Sequence, residues 1–314
     1  MLSKDVSDHC HLLLKVGGWD WGLKPFRFNN VWLKNTNFKK LVEEWWMRTS
    51  VSGWMGFVLK EKLKMLKSHL KEWNKGEYEG MEERIGKSME DIAALDEKGE
   101  EGALNGEELL TRKSLFGDLW RLLRAKNAMM MQRSCLRWLK EGDANSKYLH
   151  KCVKVRSSRN TINTLNLKEE WVETPNEVRR TMVAYFTNHV SSSSWERLKL
   201  DGVPFDTLSE GENSYLVAPF TLEEIERVVK ESDGDKSPGP GGFNFAFVKK
   251  FRYLIKDEVC ILLDQFHANE VVPKGLLSYF VALISKISSP LALKDFRPIS
   301  LLGTLYKILS KVLA

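Results

Sequence analysis

A stripe of apolar residues, spaced alternately by four and three positions, runs from residue 59 to residue 73. Its members are Leu59, Leu63, Leu66, Leu70 and Trp73. This spacing places them on one face of a helix, while the lysines and glutamates between them occupy the other face. A second stripe covers residues 81–95 and predicts a second amphipathic helix. Because neither helix can bury its apolar face alone, we expect the two to pack against each other or against another domain.

The remainder of the chain predicts further helices and a few short strands. In chain order the predicted elements are a basic helix over 109–138, a hairpin over 161–172, helices over 175–190 and 245–270, a β-rich run over 279–287 and a final helix from about residue 301. Thr221 and, three residues later, Glu224 form a capping-box pattern, which predicts a helix start. Residues 237–242 contain two prolines and three glycines and therefore predict a loop. The predicted fold class is α+β, predominantly helical.

Composition restricts the class of protein without identifying it. The 314 residues are 43% apolar and 29% charged with a net charge of +6, a basic balance too mild to indicate nucleic-acid binding by itself. The four cysteines form no C-x-x-C pair, so we expect reduced thiols in an intracellular protein of the nucleus or cytoplasm. The sequence has no signal peptide and no apolar run of membrane-spanning length, so no membrane partner is expected.

Positive charge is concentrated between residues 112 and 159, where acids are few. Such a segment can bind a nucleic-acid backbone by releasing counterions, and aromatic residues such as Tyr148 can stack on bases. The alternative interpretation is a solvated basic face, and composition leaves both open. The candidate binding residues are Arg133, Arg137, Trp138, Lys140, Lys147, Lys151, Lys154, Arg156 and Arg159.

Two shorter patterns carry residues suited to phosphate chemistry. Asp8 precedes His9, and an aspartate can orient an imidazole or raise its pKa so that it contacts a phosphate as a cation. A polar turn before a buried strand explains the same residues. Further along, Lys286 and Arg297 stand near predicted strand and turn positions where cations can clamp a triphosphate or a template backbone. An ion pair of Arg297 with Asp295 or with a neighbouring acid is the alternative there.

Taken in order, these segments resemble the polyprotein of plant LINE-type (non-LTR) retrotransposons along nearly the whole chain. Residues 7–9 resemble the last catalytic motif of the exonuclease-endonuclease-phosphatase family, although His11 stands where that family usually has proline. Residues 24–32 and 70–75 resemble the segments that follow the nuclease. Residues 137–150, with the sequence RWLKEGDANSKYLH, resemble the basic bridge that precedes the polymerase.

The C-terminal third resembles the beginning of the reverse transcriptase domain. Residues 235–244 are similar to the entry motif of the fingers, with Gly241 where the family normally has aspartate. Residues 283–286, 296–302 and 306–311 resemble the next finger motifs. The resemblance implies that Arg297 contacts the incoming nucleotide and that Lys286 contacts the nucleotide or the template.

The resemblance also implies an organisation into five segments. These are an endonuclease remnant and following segment (1–57), amphipathic helices (58–108), a basic bridge (109–190), a linker (191–219) and an incomplete fingers subdomain (220–314). Asp8 and His9 would be a remnant of the endonuclease catalytic motif.

In the family, the aspartates that bind Mg²⁺ for polymerisation lie beyond the finger motifs. We therefore expect no metal or cofactor in this fragment and no isolated polymerisation or nicking, because such chemistry needs the complete set of carboxylates. The expected partners are RNA or DNA, bound without sequence preference, and the remaining retrotransposon domains. The alternative is a degenerate structural remnant that has no activity and exposes apolar surface.

Overall fold

The computed structural model describes residues 24–134, 146–162, 164–167, 170–191, 202, 204 and 206–314. The predicted class, predominantly helical α+β, is confirmed. The elements are α1 (Phe38–Arg48), α2 (Met55–Tyr78), α3 (Met81–Glu101), α4 (Gly106–Ser134), α5 (Ser146–Asn160), β1 (Leu165–Leu167), β2 (Glu170–Val172), α6 (Pro175–Val190), α7 (Glu210–Leu216), α8 (Leu222–Glu231), α9 (Phe245–Lys250), α10 (Arg252–Asn269), β3 (Tyr279–Ser285), β4 (Phe296–Leu302) and α11 (Thr304–Val312). None of the helices in the described ranges has the length and apolar character needed to cross a membrane.

The described chain forms two compact units. The larger unit contains residues 26–156, 220–279 and 302–314, and the smaller unit includes residues 157–219 and 280–301. Each unit has its own buried apolar cluster. The aromatic residues near the N-terminus supply much of the larger core, where Phe28 packs edge-on against Phe247 and Phe38 packs against Phe251.

The amphipathic stripe predicted from residue 59 lies on α2. Leu59, Leu66 and Leu70 are buried in the larger core, where full burial of a leucine stabilises the fold by roughly 1.5–3 kcal/mol. The helix continues through Gly76, although glycine is an unfavourable residue in a helix interior, and ends at Tyr78. The chain turns instead at Gly80, whose positive φ of 69° is a backbone conformation that glycine adopts without steric cost.

Helices α3 and α4 pack against each other as an antiparallel hairpin. Three ion pairs join the two helices, in order along the hairpin: Lys98 with Glu108, Asp96 with Arg112 and Glu82 with Lys126. The residue number rises along one helix as it falls along the other, which shows the antiparallel direction. The apolar residues buried between them are Met81, Ile85, Ile92, Leu119 and Leu122. Met81, Ile85 and Ile92 of the second predicted stripe are therefore buried against the basic helix, whereas Met89 of the same stripe is exposed.

The loop predicted at residues 237–242 is held within the larger unit. The Phe28 amide donates to the Gly242 carbonyl at 2.8 Å. Asn244 donates through its side chain to Asn30, which in turn donates to Asp235, at 2.8 and 2.9 Å. This hydrogen-bonded chain connects both sides of the loop to one N-terminal segment.

The smaller unit confirms the predicted hairpin and the helix at 175–190. Strands β1 and β2 are antiparallel, with Leu165 opposite Val172. Thr174 caps α6 by accepting from the Glu177 amide, as expected for a hydroxyl at an N-cap. The apolar cluster of this unit is formed by Leu165, Val178, Leu293 and Phe296.

Two sequence predictions require correction near the C-terminus. The helix predicted over 245–270 is divided at Phe251, a buried residue with non-helical torsions (φ −106°, ψ 22°), into α9 and α10. The helix expected from residue 301 begins only at Thr304, because residues 296–302 form β4 in a two-stranded sheet with β3. Pro298 is compatible with this strand because a two-stranded sheet has only edge strands, where proline is tolerated.

Candidate nucleic-acid interface

Part of the site predicted from the sequence lies outside the described residues. This applies to Asp8, His9, Arg137, Trp138 and Lys140. Lys147 lies in α5, but its side chain is not among those that the structure describes. The remaining candidates can be placed on the structure.

In the first half of the basic segment, several cations form ion pairs with acids of the larger unit. Arg112 pairs with Asp96 at 2.5 Å and lies over the Phe116 ring, 4.8 Å from its centroid. Lys126 pairs with Glu82 at 2.7 Å. Arg121 pairs with Asp118 at 2.9 Å, one turn away on the same helix. Because these charges are already matched by acids, α4 contributes less free positive charge than its sequence suggests.

Helix α5 has a different charge environment. Its sequence, SKYLHKCVKVRSSRN, contains five lysines and arginines and no acid. Lys151, Lys154 and Arg159 are exposed, and none of them forms an ion pair with any residue that the structure describes. Lys151 and Lys154 also lie on one helix face, since residues three positions apart are neighbours on a helix surface. Unmatched cations of this kind are available to an external polyanion.

Arg156 differs from its neighbours on α5. Its guanidinium donates to the carbonyl of Ser134 on α4 at 3.3 Å. This hydrogen bond joins α5 to α4 within the larger unit. Arg156 therefore has a structural contact that the sequence did not predict. Arg133, which directly precedes Ser134 on α4, is exposed.

Trp120 on α4 is an exposed aromatic residue that the sequence analysis missed. Its side chain is 58% exposed, and the guanidinium of Arg124 lies 5.9 Å from its ring centroid. Lys113, two turns earlier, is also exposed. The sequence could have indicated this exposure. Trp120 directly follows Leu119, which faces α3, and consecutive residues of a helix point in different directions. Tyr148, which the sequence analysis did name, is also exposed, and a hydrogen bond with Cys152 raises the pKa of its hydroxyl.

Lys286 and Arg297 lie in the smaller unit, with Lys286 directly after the end of β3 and Arg297 on β4. The Lys286 amide donates to the Asp295 carbonyl at 2.7 Å, and its ammonium donates to the Lys294 carbonyl at 2.7 Å. Arg297 is exposed on β4. Among the described residues it has no ion pair, so the expected alternative of a pair with Asp295 is not seen.

The Asp295 carboxylate instead stabilises its own turn. It accepts hydrogen bonds from the amides of Ala292 and Leu291, at 2.9 and 3.1 Å. These two bonds hold the pKa of the Asp295 carboxyl below its usual value, with smaller contributions from nearby lysines. The turn that precedes Arg297 is therefore fixed independently of any ligand.

The β3 strand exposes apolar side chains. Phe280, Val281 and Ile284 are all exposed, as is Ile299 on β4. Adjacent exposed residues of this type often mark a binding surface or an aggregation-prone surface. Within the described ranges, no group of three or more His, Cys, Asp or Glu side chains is arranged to hold a metal ion.

Comparison with known proteins relates the chain to a transposon. It is 25% identical over 307 residues to the transposon TX1 uncharacterized 149 kDa protein of Xenopus laevis, an alignment that covers 92% of this chain and 23% of that protein. The chain thus spans about a quarter of the relative's length. No protein-family model matches. The chain is therefore a distant relative of a transposon protein, with similarity along almost its entire length.

Proposed function

We propose that the chain is a reverse transcriptase-related protein of a non-LTR retrotransposon and that α5 binds RNA or DNA without sequence preference. The order of the nuclease, bridge and finger motifs supports the first part, together with the similarity to a transposon protein. The proposal for this chain concerns binding only.

One observation carries the binding proposal. Helix α5 holds five cations and no acid, and Lys151, Lys154 and Arg159 are exposed without an acid partner in the part of the chain that the structure describes. Each cation that contacts a phosphate releases about 0.7 counterion from a single strand. At about 0.1 M salt, this release is worth roughly 1 kcal/mol per contact.

Trp120 adds a feature that favours single strands. Bases exposed in a single strand can stack on an aromatic side chain, and such stacking contributes about 1–3 kcal/mol per base without sequence preference. A duplex hides its base faces, so the same side chain contributes little there. We therefore expect the chain to bind a single strand more tightly than a duplex of equal length.

The test measures fluorescence anisotropy of a labelled 20-nucleotide single strand with the wild-type chain and two triple variants. The first variant replaces Lys151, Lys154 and Arg159 with glutamine, and the second replaces Lys34, Lys40 and Lys87, which are also exposed. Both lose the same charge, so only position differs. The α5 variant should bind about 100-fold more weakly at about 0.1 M salt, from three contacts of roughly 1 kcal/mol, and the control less than about threefold. Equal losses in the two variants would contradict the proposal.

A second candidate is a structural remnant without biochemical activity, and the exposed apolar side chains of β3 favour it. Such a surface would be covered in a larger protein and would promote self-association when exposed. Sedimentation of the purified chain distinguishes the candidates. A monomer that binds the single strand supports the first, and a concentration-dependent aggregate without binding supports the second.

A further inference from the structure

A cleft of about 250 Å³ opens within the larger unit, and no residue of the basic segment is among those that line it. Its walls come from α2, from the loop at Pro240 and Gly241, and from the beginning of α11. The volume lies just below the range of about 300–1,000 Å³ that is usual for small-molecule sites. The cleft therefore has room for one substituted phosphate group and part of the group attached to it.

One wall of the cleft carries a row of lysines. Lys60, Lys64 and Lys67 lie at positions i, i+4 and i+7 of α2, which places them on one face of the helix. The residues that line the cleft include these three cations and no acid. Like charges at this spacing destabilise a helix slightly, so an anion in the cleft would relieve their repulsion.

The three lysines differ in how they are already engaged. Lys64 pairs with Glu61 at 3.0 Å on an exposed part of α2, whereas Lys60 has no acid partner among the described residues. The stem of Lys60 packs closely on Gly275, where an added β-carbon would lie 2.8 Å from its Cδ. Lys67 lies over the Phe26 ring, 5.6 Å from its centroid. Burial, and then the nearby Lys71, lowers the pKa of Lys67.

The opposite walls are suited to a close-fitting anion. Gly303 is the N-cap of α11, and residues 304–306 form its first turn. No side chain caps the amides of this turn, which leaves donors directed out of the helix end. The Thr304 hydroxyl is engaged elsewhere, because it donates to the Phe243 carbonyl. At Gly241 nothing lies within 4 Å of the position that a β-carbon would take, so a ligand can approach the backbone. The remaining lining is apolar and includes Leu63 and Leu276.

We propose that this cleft binds a phosphate ester, with Lys60, Lys64 and Lys67 holding the phosphate and the apolar lining contacting the attached group. The ester comes either from a free nucleotide or from a nucleic-acid strand, and both present the same chemistry. This site is separate from the one proposed on α5 and does not depend on it.

The experiment is equilibrium dialysis of radiolabelled ATP against the full chain, with competition by unlabelled ATP, adenosine and a 20-nucleotide single strand. The chain carries the triple α5 replacement, so the strand can compete only at another site. Unlabelled ATP should displace the label and adenosine should not. Displacement by the strand assigns the phosphate to nucleic acid, and its absence assigns it to a free nucleotide.

Substitutions in the cleft complete the test. Lys60→Gln with Lys64→Gln should weaken ATP binding by about tenfold or more, as expected for the loss of charge-assisted hydrogen bonds. Gly241→Asp adds an opposing charge at a position with free space, and it should weaken binding by about tenfold, whereas Gly241→Asn should change it less than about twofold. Equal binding by the two Gly241 variants, competition by adenosine as strong as that by ATP, or no saturable binding of either ATP or the strand would overturn the proposal.

Discussion

Three glycines in the loop at 239–242 should respond very differently to alanine. At Gly242 the positive φ of 82° costs an alanine roughly 1–2 kcal/mol. Its β-carbon would also lie 2.6 Å from the Phe26 carbonyl oxygen, and relieving that overlap costs about 1–3 kcal/mol. We expect Gly242→Ala to lower the free energy of unfolding by about 2–5 kcal/mol.

The neighbouring positions separate packing from chain flexibility. A β-carbon at Gly239 would lie 2.6 Å from the Gly303 amide nitrogen, a backbone atom that cannot move aside alone, so Gly239→Ala should cost about 1–3 kcal/mol. At Gly241 the space is open and φ is not positive. Gly241→Ala should therefore be neutral or stabilise by up to about 1 kcal/mol, because alanine restricts the unfolded chain more than glycine does.

Urea unfolding followed by tryptophan fluorescence measures these differences, since Trp32 and Trp46 are buried in the same unit. Equal slopes against urea concentration would show that the variants unfold in the same way. The reasoning is refuted if Gly241→Ala destabilises as much as Gly242→Ala, because the loop would then lack the packing described here.

Three further predictions test other parts of the account. Lys62 and Glu258 form an ion pair between side chains that are 14% and 17% exposed, and one Glu258 oxygen is buried without a described hydrogen-bond partner. Lys62→Met should thus cost about 3 kcal/mol in urea unfolding, while adding Glu258→Leu should recover most of the loss; no recovery would contradict the buried pair. Trp120→Ala should weaken single-strand binding about tenfold with little change in duplex binding or unfolding, and equal losses for both nucleic acids would exclude stacking. Because the pKa of Asp295 is lower in the folded state than in the unfolded chain, its ionised carboxylate stabilises the fold above the unfolded pKa of about 3.9. This stabilisation is lost as pH falls through the folded pKa. The stability difference from Asp295→Asn should therefore be constant above about pH 5 and shrink below about pH 4, and a difference that grows in acid would reverse the assigned sign.

Local signals in the sequence predicted local structure well. The Thr221 and Glu224 capping box forms as expected, because its hydrogen bonds join residues only three positions apart. The stripe on α2 predicted which face is buried, since helical periodicity alone determines it. The start of α11 was wrong because residues 296–302 pair with a preceding strand, and that long-range hydrogen bonding outweighs local preference.

The candidate interface could be predicted only in part, because charge along the sequence does not show which cations are paired. Lys126 finds its acid 44 residues upstream at Glu82, a contact that follows from the packing of α3 on α4. The same packing exposes Trp120. From the sequence, the lysines of α2 indicate only the polar face of a helix. Their position in a cleft depends on a loop and on the start of α11, which lie more than 170 residues further along the chain.

The salt dependence of single-strand binding tests the central claim most directly. Binding of the wild-type chain and of the triple variant at Lys151, Lys154 and Arg159 would be measured by anisotropy across a range of salt concentrations. The slope of the logarithm of the binding constant against the logarithm of salt concentration should be shallower in the variant by about 2, from three contacts of about 0.7 each. Identical slopes for the two proteins would show that α5 does not contact the phosphates.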